Sequence, residues 1–157
     1  MEIITILYNI RSLYNVGSIF RTADAAGVKK LYLTGITPAP TDVFGRPRQQ
    51  LTKVSLGAEK YVEWEKVKST GLLIDKLKKD RYKILAIEQA KNATTYYKLK
   101  IKRQDKIALI VGSEVKGLPK SILNKADKIL EIPMYGRKES LNVSVAFGIV
   151  AFHLVNH

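Results

Sequence analysis

The longest unbroken apolar run in the chain lies at Ile107–Val111, inside KIALIVGSEVKGLP (Lys106 to Pro119). A run of that length without alternation reads as a strand buried on both faces, as in parallel sheets. It stops at Gly112 and Ser113, and Glu114 then stands alone among small and apolar residues before Gly117 and Pro119 turn the chain. Further strands are predicted at Glu2–Tyr8, Lys30–Thr34, Tyr61–Trp64, Tyr82–Ile87 and Lys128–Ile132. Helical spacing runs from Asn15 to Gly27, with Val16, Ile19, Phe20, Ala23 and Ala26 on one stripe, and Gly17 and Arg21 sharing a face. It recurs over Val67–Lys79 and, briefly, over Pro119–Lys125. Ser140–Val155 is apolar nearly all round and is therefore expected to be a largely buried closing helix. Strands alternating with helices predict an α/β fold: a single domain over residues 1–157 with a mostly parallel sheet.

Two segments break this rhythm. Gly35–Gln50 holds Pro38, Pro40, Gly45 and Pro47 with Arg46 and Arg48, and its lack of period marks a long loop, either functional or disordered. Asn92–Gln104 concentrates Tyr96, Tyr97, Lys98, Lys100, Lys102 and Arg103. It reads equally as a solvated connection or as part of an RNA-facing rim.

Composition changes the picture in one respect. Lys and Arg number 27 against 14 Asp and Glu, a formal charge of +13, which concentrates polyanions and makes nucleic acid the first partner to consider. Dispersed basic residues fit a membrane surface less well, and Met1–Tyr8 does not resemble a signal peptide, so a cytoplasmic location is expected. The absence of cysteine excludes disulfides, thiolate metal sites and a Cys nucleophile.

The motifs exclude more chemistry than they offer. A dinucleotide fingerprint needs several glycines after the first strand, where only Gly17 stands. Gly112 and Gly117 have P-loop spacing, but Leu118 and Pro119 occupy the required Lys and Ser/Thr positions. His153 lies in the apolar closing helix and His157 ends the sequence, which disfavours a Ser-His-Asp triad or a His-based metal centre. What remains is a set of polar residues at loop-to-helix junctions: Asn15, Arg21, Glu114, Ser140 and Asn142. Singly, Asn15 or Ser140 could be an N-cap, Arg21 a surface base and Glu114 a loop acid; together they look like a site.

At these residues the chain resembles the SpoU/TrmH family of SPOUT RNA methyltransferases. NVGSIFRTADAAG (Asn15 to Gly27), IALIVGSEVKGLP (Ile107 to Pro119) and IPMYGRKESLNVSVAFG (Ile132 to Gly148) occur in the family's order and roughly its spacing. The resemblance implies an S-adenosylmethionine-dependent methyltransferase acting on a ribose 2′-hydroxyl of tRNA or rRNA, a C-terminal deep trefoil knot, and a homodimer whose active sites use residues of both chains. By the same resemblance Arg21 matches the catalytic arginine, with Asn15, Glu114, Ser140 and Asn142 as its companions. S-adenosyl-L-methionine would lie near Ile87, Gly112, Ile132, Met134, Ser140 and Leu141, with no metal. Gly112 suits close approach of a ligand to backbone.

Many family members carry an additional RNA-binding domain, and no segment here is a candidate for one, so Gly35–Gln50 and Asn92–Arg103 become the expected RNA contacts. Small members that act on the tRNA anticodon loop favour tRNA, whereas SLNVSVA is closer to the motif of the tRNA D-loop enzymes. A catalytically silent RNA-binding paralogue is the alternative, which loss of Arg21 or Asn142 would have favoured; both residues are present. A third possibility is a small-molecule enzyme whose charge serves solubility alone, and salt-insensitive RNA binding would distinguish it.

Overall fold

The computed structural model describes residues 1–157. Seven strands form one sheet: β1 (Glu2–Tyr8), β2 (Lys30–Thr34), β3 (Glu63–Val67), β4 (Lys83–Ile87), β5 (Thr94–Thr95), β6 (Lys106–Val111) and β7 (Lys128–Glu131), in the order β3-β2-β1-β6-β4-β7-β5. Every pairing is parallel. All strands therefore end at one edge, where β6, β4 and β7 lie side by side.

The period of two in these strands splits the core cleanly. Ile107, Leu109 and Val111 of β6, with Leu85 of β4 and Leu130 of β7, face a cluster completed by helices α1 (Leu13–Ala25), α2 (Gln49–Ser55) and α5 (Val143–Val155). Ala108 and Ile110, with Ile84, Ala86 and Ile129, face the other side beneath α3 (Thr70–Lys79) and α4 (Lys120–Leu123). The first cluster holds 24 buried residues and the second 12, so the weight of the core lies under α1, α2 and α5. Large side chains such as Phe20 and Phe147 are fully buried there, each stabilising by about 1.5–3 kcal/mol.

The helices begin where side chains satisfy their free N–H groups. Ser12 caps α1 by accepting from the backbone of Asn15 (3.1 Å), and Ser69 caps α3 by accepting from Leu72 (3.2 Å). Val67, expected to open the helix over Val67–Lys79, is instead the last residue of β3, which spans Glu63–Val67 rather than the expected Tyr61–Trp64. The Asn92–Gln104 segment contributes β5 and a 3-10 turn at Tyr96–Lys98, so it forms the sheet's edge rather than a free connection.

Helix α5 differs from its expected burial. Phe147, Val150, Ala151 and Leu154 are buried, but Val145, Phe152 and Val155 on the opposite side are 49%, 41% and 39% exposed. Only one face of the helix meets its own chain, and an all-round apolar sequence does not mark which. No helix is long and apolar enough to cross a membrane.

Gly17 is where α1 and α2 meet. A Cβ at this position would stand 2.4 Å from the Leu51 carbonyl oxygen and 3.1 Å from Val54 Cβ. In an open helix Gly→Ala stabilises by about 1 kcal/mol; here the neighbour is backbone and α2 would have to move. Gly17→Ala is therefore expected to destabilise the protein by about 1–3 kcal/mol, read from the urea midpoint. A stabilised variant would mean that α2 does not seat on Gly17.

Candidate active site

A cleft of about 400 Å³ opens at the carboxyl ends of β4, β6 and β7, a volume within the range of small-ligand sites. Ile87, Val111, Gly112, Leu130 and Ile132 form its floor, the turn Ser113–Gly117 one wall, and Ser140, Leu141, Asn142, Val143 and Ala146 the other. Residues 133–141 take part in no backbone–backbone hydrogen bond, so their peptide groups remain open to a ligand or water.

At the mouth of the cleft three distant segments are joined by side chains. Asn15, buried in the first turn of α1, donates through Nδ2 to Glu114 Oε1 (3.2 Å), and its Oδ1 accepts from Asn142 Nδ2 (3.0 Å). Asn142 caps α5, its Oδ1 accepting from the Ser144 backbone (2.9 Å) and hydroxyl (2.5 Å) and from the Val145 backbone (3.4 Å). The capping bond fixes the orientation of both amides: Asn142 must turn its NH₂ toward Asn15, which then turns its own NH₂ toward the carboxylate. Glu114 also accepts from the backbone N–H groups of Arg11 and Ser12, each at 3.2 Å. Burial pushes the Glu114 carboxyl up, but bonds from its own backbone N–H, Asn15, Ser12 and Arg11 outweigh this and hold it below its ordinary range.

The turn after β6 has its own support. Glu88, immediately beyond β4, accepts from Leu118 N–H through Oε2 (2.8 Å) and from Gln89 N–H through Oε1 (3.0 Å). Gly117, with φ of +63°, presses against this carboxylate, where a Cβ would lie 2.2 Å from Oε2. Gln89 Nε2 donates to the Ile132 carbonyl (2.8 Å), linking β4 to the exit of β7. Gly112 is required for a reason other than ligand approach. A Cβ there would meet the Gly117 carbonyl carbon at 2.7 Å and Leu118 Cγ at 2.8 Å, so the turn folds back onto it.

Asn15, Glu114, Ser140, Asn142, Ile87, Gly112, Ile132 and Leu141 thus surround one cleft. Met134 lies outside the lining, in the segment that leaves β7, and Arg21, exposed on α1, does not line the cleft either. Sequence reasoning missed Glu88 and Gln89, although a carboxylate at the end of a buried strand was a usable signal. It also left Ser12 unassigned; Ser12, not Asn15, caps α1, and Asn142, not Ser140, caps α5. His153 and His157 sit together, ring centroids 5.2 Å apart, and neither lines the cleft.

The model of the SpoU rRNA methylase family matches residues 2–152. The chain belongs to that family. A Staphylococcus aureus protein assigned to the TrmH family of tRNA/rRNA methyltransferases is 33% identical over 154 residues, covering 98% of this SpoU chain and 58% of its relative. The chain therefore spans a little over half the length of the curated relatives it matches. The crystal structure of an AdoMet-bound rRNA methyltransferase from Sinorhizobium meliloti is 29% identical with a TM-score of 0.87, over 99% of this chain and 56% of that one. A TrmH/SpoU tRNA modifying enzyme from A. aeolicus is also 29% identical, with a TM-score of 0.83, over 99% of this chain and 74% of that one.

The lowered pKa of Glu114 has a definite sign. Its contribution to stability is fully present above the unfolded carboxyl value of 4.5 and is lost as pH falls through the folded value. Glu114→Gln is expected to be less stable than wild type at pH 7, with the gap narrowing at about pH 3, in urea titrations at both pH values. A gap that stays constant or widens in acid would contradict the network.

Proposed function

We propose that this chain is an S-adenosylmethionine-dependent RNA methyltransferase acting on a ribose 2′-hydroxyl, with tRNA as the favoured substrate. The observation that carries the reading is the cleft at the ends of β6, β4 and β7, whose mouth gathers Asn15, Glu114, Ser140 and Asn142 in a family of methylases.

The donor set fits the cofactor. Glu88, Glu114 and Glu131 line the cleft and Lys116 is its only Lys or Arg, in a protein of net charge +13. A small ligand bearing cationic groups is favoured inside, and a polyanion outside. Ile87, Gly112, Ile132, Ser140 and Leu141 would hold it, with Met134 at the exit. When bound, S-adenosylmethionine supplies an electrophilic methyl carbon on a sulfonium.

Methyl transfer would break the carbon–sulfur bond of the sulfonium, leaving a thioether, as the ribose oxygen takes the carbon, and the hydroxyl proton would pass to water. Guanidinium has a pKa above ~12 and seldom gives up a proton. Arg21 is therefore read as binding the neighbouring phosphate and stabilising the developing alkoxide; acting as the base would require a site that sharply lowers its pKa. Asn15, Ser140 and Asn142 orient the ribose, and Glu114 holds Asn15 in its donor orientation.

The reading includes a homodimer. Leu141, Val145, Phe152 and Val155 leave an exposed apolar surface from the rim of the cleft along α5, and a second copy seated there would cover it. Arg21, outside the cleft of its own chain, would then serve the cleft of its partner. The trefoil threading of the C-terminal segment implied by the family resemblance belongs to the same reading.

The test is transfer of labelled methyl from S-adenosylmethionine to total RNA, followed by size separation and digestion to alkali-resistant dinucleotides. Label in the tRNA fraction is expected, and Arg21→Ala and Arg21→Lys should each lose about 100-fold or more. Mixing Arg21→Ala with Asn142→Ala protein should restore turnover that neither has alone. Label confined to rRNA would move the substrate; near-normal turnover by Arg21→Lys would remove the role of Arg21. No label and no cofactor binding would leave an RNA-binding protein without catalysis.

A further inference from the structure

Outside the cleft, the Gly35–Arg48 loop is the most unusual feature of the surface. It is held by its own hydrogen bonds: Asp42 Oδ1 accepts from the backbone of Phe44 (2.9 Å) and Arg46 (3.0 Å), and the Asp42 N–H donates to the Arg46 carbonyl (2.8 Å). Thr41 and Pro47 pair across it, and Arg48 N–H donates to the Pro40 carbonyl (2.8 Å). On this fixed frame Val43 and Phe44 stand 90% and 77% exposed, with the Arg46 guanidinium 4.8 Å from the Phe44 ring centroid.

At the base of the loop two cations lie together; the Asp42 carboxylate feels the charge of Arg48 but bonds to Arg46. Lys66 Nζ, from β3, donates to the carbonyl oxygens of Gly35 (3.4 Å) and Thr37. Arg48 is half-buried, and its Nε is buried with no acceptor. Neither residue makes a salt bridge, and the acid in the loop, Asp42, is bound to Arg46 Nε at 3.2 Å. Burial first, and then the charge of Arg48, lower the pKa of Lys66. The Nη groups of Arg48 have no partner within the protein and remain open, so an anion can reach them beside the charge of Lys66. Arg also offers the planar fork that matches phosphate.

From this geometry we infer that Arg48 and Lys66 form a phosphate site for the backbone of bound RNA, with Phe44 of the same loop as a stacking surface for a base. The site deepens the RNA reading given above and rests on it. The loop leaves the carboxyl end of β2, two strands from β6, so it stands about 10 Å along the same edge from the cleft. RNA laid across that edge would present one nucleotide to the cleft and a neighbouring phosphate to Arg48. Exposed aromatics beside cations are how single-stranded RNA is held without base-specific readout.

The experiment is binding of unfractionated tRNA by fluorescence anisotropy between about 50 and 200 mM salt. Wild type is compared with Arg48→Gln, Lys66→Gln, Arg48→Lys and the control Lys79→Gln, an exposed lysine of α3. S-adenosylmethionine binding and thermal melting of each protein are measured alongside. Arg48→Gln and Lys66→Gln should each flatten the slope of log affinity against log salt by about 0.7–0.9, with cofactor binding and melting unchanged. Arg48→Lys should recover most of the slope. Wild-type slopes in both glutamine variants, as in Lys79→Gln, would overturn the site and leave the RNA reading standing. A wild type with no salt-dependent tRNA binding would overturn the RNA reading and this site with it.

Discussion

The bond from Asn15 to Glu114 on one side and Asn142 on the other is the constraint from which the cleft follows. These residues lie 99 and 127 positions apart in the chain, and each stands at the end of a different element. Asn15 is 6% exposed, so most of its amide's hydrogen bonding must come from protein. Satisfying it brings the turn after β6 and the start of α5 to the same point on α1. The floor of the cleft is set by strand register, but the distance between its walls is set here. Because each amide orientation depends on the next, from the α5 cap through Asn15 to the carboxylate, the network is closed only when all three segments are in place.

Charge is organised around this network in two layers. The exterior carries the excess of Lys and Arg, whereas the cleft is lined by three glutamates and one lysine. Glu88 and Glu114 each bind backbone N–H groups of the segments around the cleft, so the acids shape the site as well as setting its potential. Under the proposed function this separation lets one small domain hold a sulfonium and a polyanion side by side without either competing for the other's contacts.

The parallel sheet was legible because its central strands are buried on both faces, which forces runs such as Ile107–Val111 that no exposed strand would carry. Helix α2 was not legible: in QQLTKVS only Leu51 and Ser55 are buried, too few to set a period, and the helix exists because Gly17 leaves room for it against α1. The candidate residues at Asn15, Glu114, Ser140 and Asn142 stood out as polar groups at junctions, yet their partners did not. Glu88 went unseen because its importance comes from Leu118 and Gly117, which lie about 30 residues away. The glycine at 112 was visible as a glycine, but its neighbour is the returning turn, a contact that spacing does not encode.

What the sequence by itself determined is local: most of the strands and helical stripes, though neither β5 nor the exact ends of β3 and the helices, which side chains are too polar for their surroundings, and that the chain is strongly basic. These follow from propensity, periodicity and composition, each read within a few residues. Tertiary structure alone decided which polar residues meet, that Arg21 does not line the cleft, and which face of α5 is left uncovered. Those outcomes depend on strand order and on close backbone approach between distant segments. Neither leaves a periodic trace in the chain that makes it.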